Sequence, residues 1–299
     1  MKKALAYVFI IIGLVFLSGC SFFTSMTDDE IKSQTESLVI KAGSQLVIKP
    51  TVLGFGAGIK ALLSDNQGVK TVTFENYLPD DSFKFSWQAK QRIETEESKE
   101  KQAEYYEQYG ETAIGERVPL PPEPDYYSKD LIGLIEVSNL GQQDSLLLPE
   151  LWSEGDFLTS ENGIIFISNQ VYNLLLSAKQ AELKLGLSDS VVSKLKFYSY
   201  QAEESLNSLK TLVSDQKKTG KDSPYLLKAE DDFDQYKLKI NGQTTYIEAI
   251  VSHNWFGEFI ILNNPENPLV LKITPNPIAV SNDFNYKSLF GYQVTDIEL

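Results

Sequence analysis

The chain has 299 residues, 41 acidic against 27 basic side chains, a formal net charge of −14 and a single cysteine. An acid excess of this size repels a phosphate backbone and anionic headgroups, which argues against a nucleic-acid partner. One cysteine excludes an intramolecular disulfide, and 11% aromatic residues argue against general disorder, so a packed core must hold the fold.

The N-terminus has the order of an export signal. Lys2 and Lys3 precede Ala4 to Leu17, which is apolar apart from its glycine. The run is short for a spanning helix, which needs about 20 apolar residues. Leu17-Ser18-Gly19-Cys20 closes it with small residues and the lone cysteine. These four residues resemble the lipobox of a bacterial lipoprotein signal peptide, a resemblance confined to residues 1–20. It implies diacylglyceryl transfer to the Cys20 thiol, cleavage between Gly19 and Cys20, and acylation of the new N-terminus, for instance by palmitate. Two or three acyl chains anchor stably where one does not. The competing reading is an uncleaved membrane anchor that happens to end in a cysteine. In Gram-negative lipoproteins an aspartate after the cysteine commonly marks retention in the inner membrane. Ser21 therefore favours the periplasmic face of the outer membrane if the host is Gram-negative.

On this reading residues 1–19 are a signal peptide and residues 20–37 a lipidated N-terminus and flexible tether. Residues 38–299 are then one globular domain with a surface insertion at about 92–129. Phe22 to Ser37 is polar after its first two phenylalanines and has no apolar period, hence the tether. Leu38-Val39-Ile40 and Leu46-Val47-Ile48 flank Gly43 as two short strands and a turn. Gly54, Gly56 and Gly58 miss the spacing of a phosphate-binding loop and read as a tight turn or close packing. Val69 to Tyr77, then Phe83, Phe85 and Trp87 alternating with polar residues, predict a hairpin turning at Leu78-Pro79-Asp80-Asp81.

Glu94 to Glu107 is crowded with Glu, Lys and Gln, and ends near Tyr105, Tyr106 and Tyr109. Pro119, Pro121, Pro122 and Pro124 follow. We read a solvated helix or disordered stretch and then an extended arm: an inserted surface loop, or else a partner-docking arm. Leu131 to Val137 and Gly163 to Ser168 are strand candidates, and a helical turn or two begins at Asn169. Ser190 to Lys217 is the best helix, with Val191, Leu195, Tyr198, Ala202, Leu206, Leu209 and Val213 on one stripe. Asn241-Gly242 joins Tyr236–Ile240 to Thr244–Ile250 as a hairpin. A second hairpin runs from Phe259–Leu262 through Asn263-Asn264-Pro265-Glu266-Asn267-Pro268 to Leu269–Ile273, and Gly291 to Ile297 is a last strand. The pattern predicts an α+β fold: a mostly antiparallel β-sheet, sandwich or half-barrel, with one long amphipathic helix and a Pro/Glu-rich insertion. Leu148–Leu176 and Tyr236–Ile273 are similar to exported bacterial proteins of unknown function, a resemblance that implies no activity.

Catalytic and metal chemistry find little footing. His253, the single histidine, could act as a general base, but no G-x-S-x-G elbow supplies a serine. Zinc lacks ligands when the one cysteine is lipidated. Glu230-Asp231-Asp232-Phe233-Asp234 offers four carboxylates without the glycine and terminal glutamate of a calcium loop, and reads as a solvated acidic loop. No catalytic residue, metal or cofactor is expected. The expectation is a membrane-anchored, non-catalytic lipoprotein of the cell envelope that binds a protein partner or a ligand. The alternatives are a half-barrel carrier or sensor of an apolar ligand, and a hydrolase using His253.

Overall fold

The computed structural model describes residues 26–53, 68–109, 119–149, 152, 154–159, 162–185, 223, 225–254, 256–275 and 289–299. Its strands are β1 (Gln45–Leu53), β2 (Lys70–Leu78), β3 (Ser82–Glu94), β4 (Tyr126–Val137), β5 (Ser145–Leu146), β6 (Gly155–Thr159) and β7 (Gln180–Glu182). They continue with β8 (Lys184–Leu185), β9 (Leu226–Ile240), β10 (Gln243–His253), β11 (Gly257–Leu262), β12 (Val270–Pro275) and β13 (Leu289–Glu298). The helices are α1 (Asp28–Glu36), α2 (Glu96–Tyr109) and α3 (Asn169–Ser177). The fold is α+β and dominated by one mostly antiparallel sheet in the order β6-β4-β3-β2-β1-β13-β12-β11-β10-β9-β7.

Two halves of this sheet meet at β13. From β9 to β13 each strand pairs antiparallel with the next, and β13 returns to β9 through Asp296↔Lys239 and Ile297↔Ile240. An odd number of strands laid head to tail sends the first and last in one direction, so the closing pair has to be parallel. Its turn residues Asn241 (φ 48°) and Gly242 (φ 80°) both have the positive φ of the expected type I′ hairpin. Along β9, buried Tyr236, Leu238 and Ile240 alternate with exposed Lys237 and Lys239. Ile247, Phe259, Ile261, Leu271, Ile273, Tyr292 and Val294 are also buried and share the core with them.

The other half, β1-β2-β3-β4-β6, spreads from the far side of β13 as an open sheet. Phe74, Phe83, Phe85 and Trp87 line its inner face, as the alternation predicted. An irregular segment covers them. The Phe166 ring lies 4.9 Å from Tyr77, 5.2 Å from Phe83 and 5.9 Å from Phe74. Trp152 lies 5.3 Å from Phe85. The same segment grips the start of β12: Val270 N–H donates to Ile165 O, and Ile167 N–H to Pro268 O. It therefore joins the two halves.

Several expectations need correction. Residues 28–36, assigned to the tether, form α1. Its Thr27 Oγ1 accepts the Glu30 N–H while the Glu30 carboxylate accepts the Thr27 N–H. That capping box and the acidic first turn start a helix too short to show an apolar period. Leu38 and Ile40 are buried but belong to no strand. Gly163–Ser168 is buried but not a strand, because Ile164 has φ 57° and only Phe166 makes a bridge, to Leu269. The acidic run Glu230–Asp234 is strand, not loop. The β3–β4 ladder persists to Glu94↔Tyr126, which narrows the insertion from 92–129 to the chain between those residues. The helix expected over Ser190–Lys217, the glycines at 54, 56 and 58, and all of residues 1–25 lie outside the described residues.

Candidate functional site

His253 ends β10, with Lys228 of β9 and Glu258 of β11 as its cross-strand neighbours. Its side chain is 46% exposed, and Nε2 lies 2.9 Å from Glu230 Oε1. Glu230 reaches it because β9 bulges. Ile250 faces Phe233 but Ser252 faces Ala229, so Glu230 to Asp232 are squeezed out opposite Val251. The bulge turns backbone carbonyls outward, and Lys179 Nζ takes two of them, Glu230 O at 3.2 Å and Asp231 O at 2.9 Å. Lys179 itself has φ 55°, just beyond α3. Of the acidic run, the Glu230 carboxylate meets the imidazole, while Lys179 holds only its main chain.

This arrangement does not make a hydrolytic triad with the neighbouring serine. Successive strand residues point to opposite faces, and Ser252 is buried with its hydroxyl donating to Phe259 O at 3.4 Å. Among the described residues no three His, Cys, Asp or Glu side chains gather around a metal position.

A second polar constellation lies under the N-terminal segment, and the sequence reading missed it. β11 ends at Leu262 while β10 extends back to Gln243, which leaves part of the β10 edge without a strand. α1 fills that place. The Glu248 N–H donates to Thr35 Oγ1 at 2.7 Å, and that hydroxyl donates to Ile31 O at 2.7 Å. Asn264 Nδ2 donates to Thr35 O and Leu38 O, each at 2.9 Å. Asn267 Nδ2 donates to Leu38 O at 2.8 Å and its Oδ1 accepts the Ile40 N–H at 3.0 Å. Asn264 and Asn267 are buried, so these bonds are made away from water. The signal was the six-residue connection 263–268, longer and richer in asparagine than a hairpin needs.

The insertion forms a unit of its own. Tyr105 OH donates to Pro119 O at 2.6 Å, Gln102 Nε2 to Pro122 O at 3.4 Å, and the Asp125 N–H to Ser98 Oγ at 3.1 Å. The proline arm thus lies back along α2. Elsewhere the strands β4 and β6 expose the aliphatic side chains of Ile132 (64%) and Leu158 (70%), and β4 also exposes Tyr126 and Tyr127. Cys20, Gly19 and the rest of the signal region fall outside the described residues. No helix among the described residues is long and apolar enough to cross a membrane. The chain matches no family model, no curated protein and no solved structure.

Proposed function

We propose that the protein is a lipid-anchored protein of the bacterial cell envelope, held through Cys20, whose folded body binds a protein or ligand without catalysing a reaction. The observation that carries this reading is Leu17-Ser18-Gly19-Cys20 at the end of a short apolar run, with Cys20 the sole cysteine. A cysteine with no disulfide partner in the chain is free for attachment. In a Gram-negative host, Ser21 favours the outer membrane.

The body supports binding over chemistry. His253 has a carboxylate partner, while the adjacent Ser252 hydroxyl is committed to the core. A barrel needs about eight strands before its interior can hold a small ligand. The β9–β13 circuit is smaller and its buried positions carry large side chains, Tyr236, Phe259 and Tyr292 among them. That favours recognition on the outer surface over an apolar carrier. The test is metabolic labelling with palmitate: wild type takes up label and Cys20→Ala does not. Equal labelling of the two would overturn the anchor. A hydrolytic activity lost in His253→Ala would overturn the non-catalytic part.

A further inference from the structure

The N-terminal helix sets how far the body can stand from whatever holds Cys20. From Met26 onward the chain is fixed to the closed β9–β13 circuit, a small five-stranded barrel. Thr245 Oγ1 donates to Met26 Sδ at 3.3 Å, Gln235 Nε2 donates to Asp28 Oδ1 at 3.2 Å, and Thr35 then receives the Glu248 N–H. Ile31, Thr35, Leu38 and Ile40 are buried in that contact. Only residues 21–25 separate Cys20 from Met26. Fully extended, that length of chain spans about 20 Å.

The docking also says which end of the barrel is nearest. Met26 meets β10 at Thr245, close to the Asn241-Gly242 turn. The C-terminal Leu299 lies at the same end, its N–H donating to Asn241 Oδ1 at 2.9 Å. Thr35 follows farther along β10, at Glu248. His253 and the β9 bulge are at the opposite end of that strand, about 30 Å from Thr244 at ~3.3 Å per residue.

Resting on the lipid-anchor reading, we propose that the anchored protein stands with the β9–β10 turn toward the bilayer and the His253–Glu230 end toward the aqueous side. The near end carries Asp296 and Glu298 against Lys237 and Lys239, and Lys239 is held by Asp296 at 2.6 Å. These charges balance and offer anionic headgroups no net attraction, so the short leash, not adsorption, keeps the near end there. Partners arriving from water would meet Glu230, His253 and Lys179 first.

The experiment uses the lipidated full chain, in which the Cys20 sulfur is a thioether and an added cysteine is the one reactive thiol. Thr244→Cys and Gln180→Cys place a fluorophore at exposed strand positions at the two ends, since Gln180 pairs with Lys228, which faces His253. Both proteins are bound to phosphatidylcholine vesicles carrying a short-range headgroup quencher. Quenching at position 244 should exceed that at 180 several-fold, and twelve Gly/Ser residues inserted after Phe23 should erase most of the difference. Equal or reversed quenching, or a contrast that survives the insertion, would overturn the orientation. Failure of the wild type to partition onto vesicles would instead remove the anchor reading, and the orientation with it.

Discussion

In the β9–β13 half, strand pairing itself encloses the core, because β13 returns to β9. The β1–β6 half leaves its sheet open, and irregular chain that includes Trp152 and Phe166 covers its aromatic face. The buried residues form one core, shut on the first side by hydrogen bonds between neighbouring strands and on the second by side chains brought from a distance. The second should therefore depend on a few large contacts, and the first on many small ones.

The largest effect is expected from Phe166→Ala. The ring is fully buried among Phe74, Tyr77 and Phe83, so its loss should cost about 3–5 kcal/mol in denaturant unfolding. Because Ile165 and Ile167 grip Val270 and Pro268, amide exchange should quicken in β2, β3 and the start of β12 together. A change confined to β2 and β3 would make the two halves independent.

An alkaline titration reads both halves, because burial also pushes the Tyr77 hydroxyl of β2 up, and Tyr236→Phe picks out the closed one. Burial pushes the Tyr236 hydroxyl up to about 12, and burial with the nearby Glu248 carboxylate pushes Tyr172 up to about 12. In the unfolded chain tyrosine ionises near 10. Between pH 10 and pH 12 the unfolded chain therefore loses protons that the native state keeps, and stability falls as pH rises. Each group contributes at most about 1.4 kcal/mol per pH unit in that window and nothing below it. Tyr236→Phe should flatten the loss by roughly 2 kcal/mol across the window, read by denaturation at pH 9 and pH 12. An unchanged slope would mean that the β9–β13 core admits the phenolate.

Most of the closed half was legible in the sequence and much of the open half's cover was not. β9 and β10 flank Asn-Gly, and β11 and β12 are short apolar runs either side of a turn-rich connection, local signals that pairing with the next strand preserves. The Phe83–Phe85–Trp87 alternation was legible for the same reason. The Gly163–Ser168 segment is apolar enough for a strand, but the left-handed Ile164 takes it out of the ladder, and composition does not report φ. α1 was hidden because only Ile31 and Thr35 of its residues are buried, and one of those is polar. The His253–Glu230 pair depends on a β-bulge, which has no signature in an acidic run. The asparagines at 264 and 267 were read as turn residues because their partners lie far back in the chain, at Thr35, Leu38 and Ile40.

The borrowed edge on β10 gives a smaller effect. Thr35→Val keeps the shape but removes the buried hydroxyl that receives the Glu248 N–H, leaving a half-buried donor unpaired. We expect a loss of about 1–3 kcal/mol. It should centre on α1, with faster exchange there and at Glu248 while β2 and β3 stay protected. Uniform acceleration would show that α1 is integral to both halves.

The smallest effect compares the halves directly. Gly242 (φ 80°) turns the β9–β10 hairpin and Gly43 (φ 90°) turns the chain into β1, and at both an added Cβ would meet nothing within 4 Å. Alanine at either position thus pays only for left-handed backbone, about 1–2 kcal/mol. Equal losses in Gly242→Ala and Gly43→Ala would place the difference between the halves in what covers them and not in how they turn. A clearly larger loss at Gly43 would have another source, because its N–H donates to Phe74 O at 2.8 Å and so pins the turn to the aromatic cluster. In that case the open half would be held at its turn as well as by Phe166, and the contrast between the two halves would narrow.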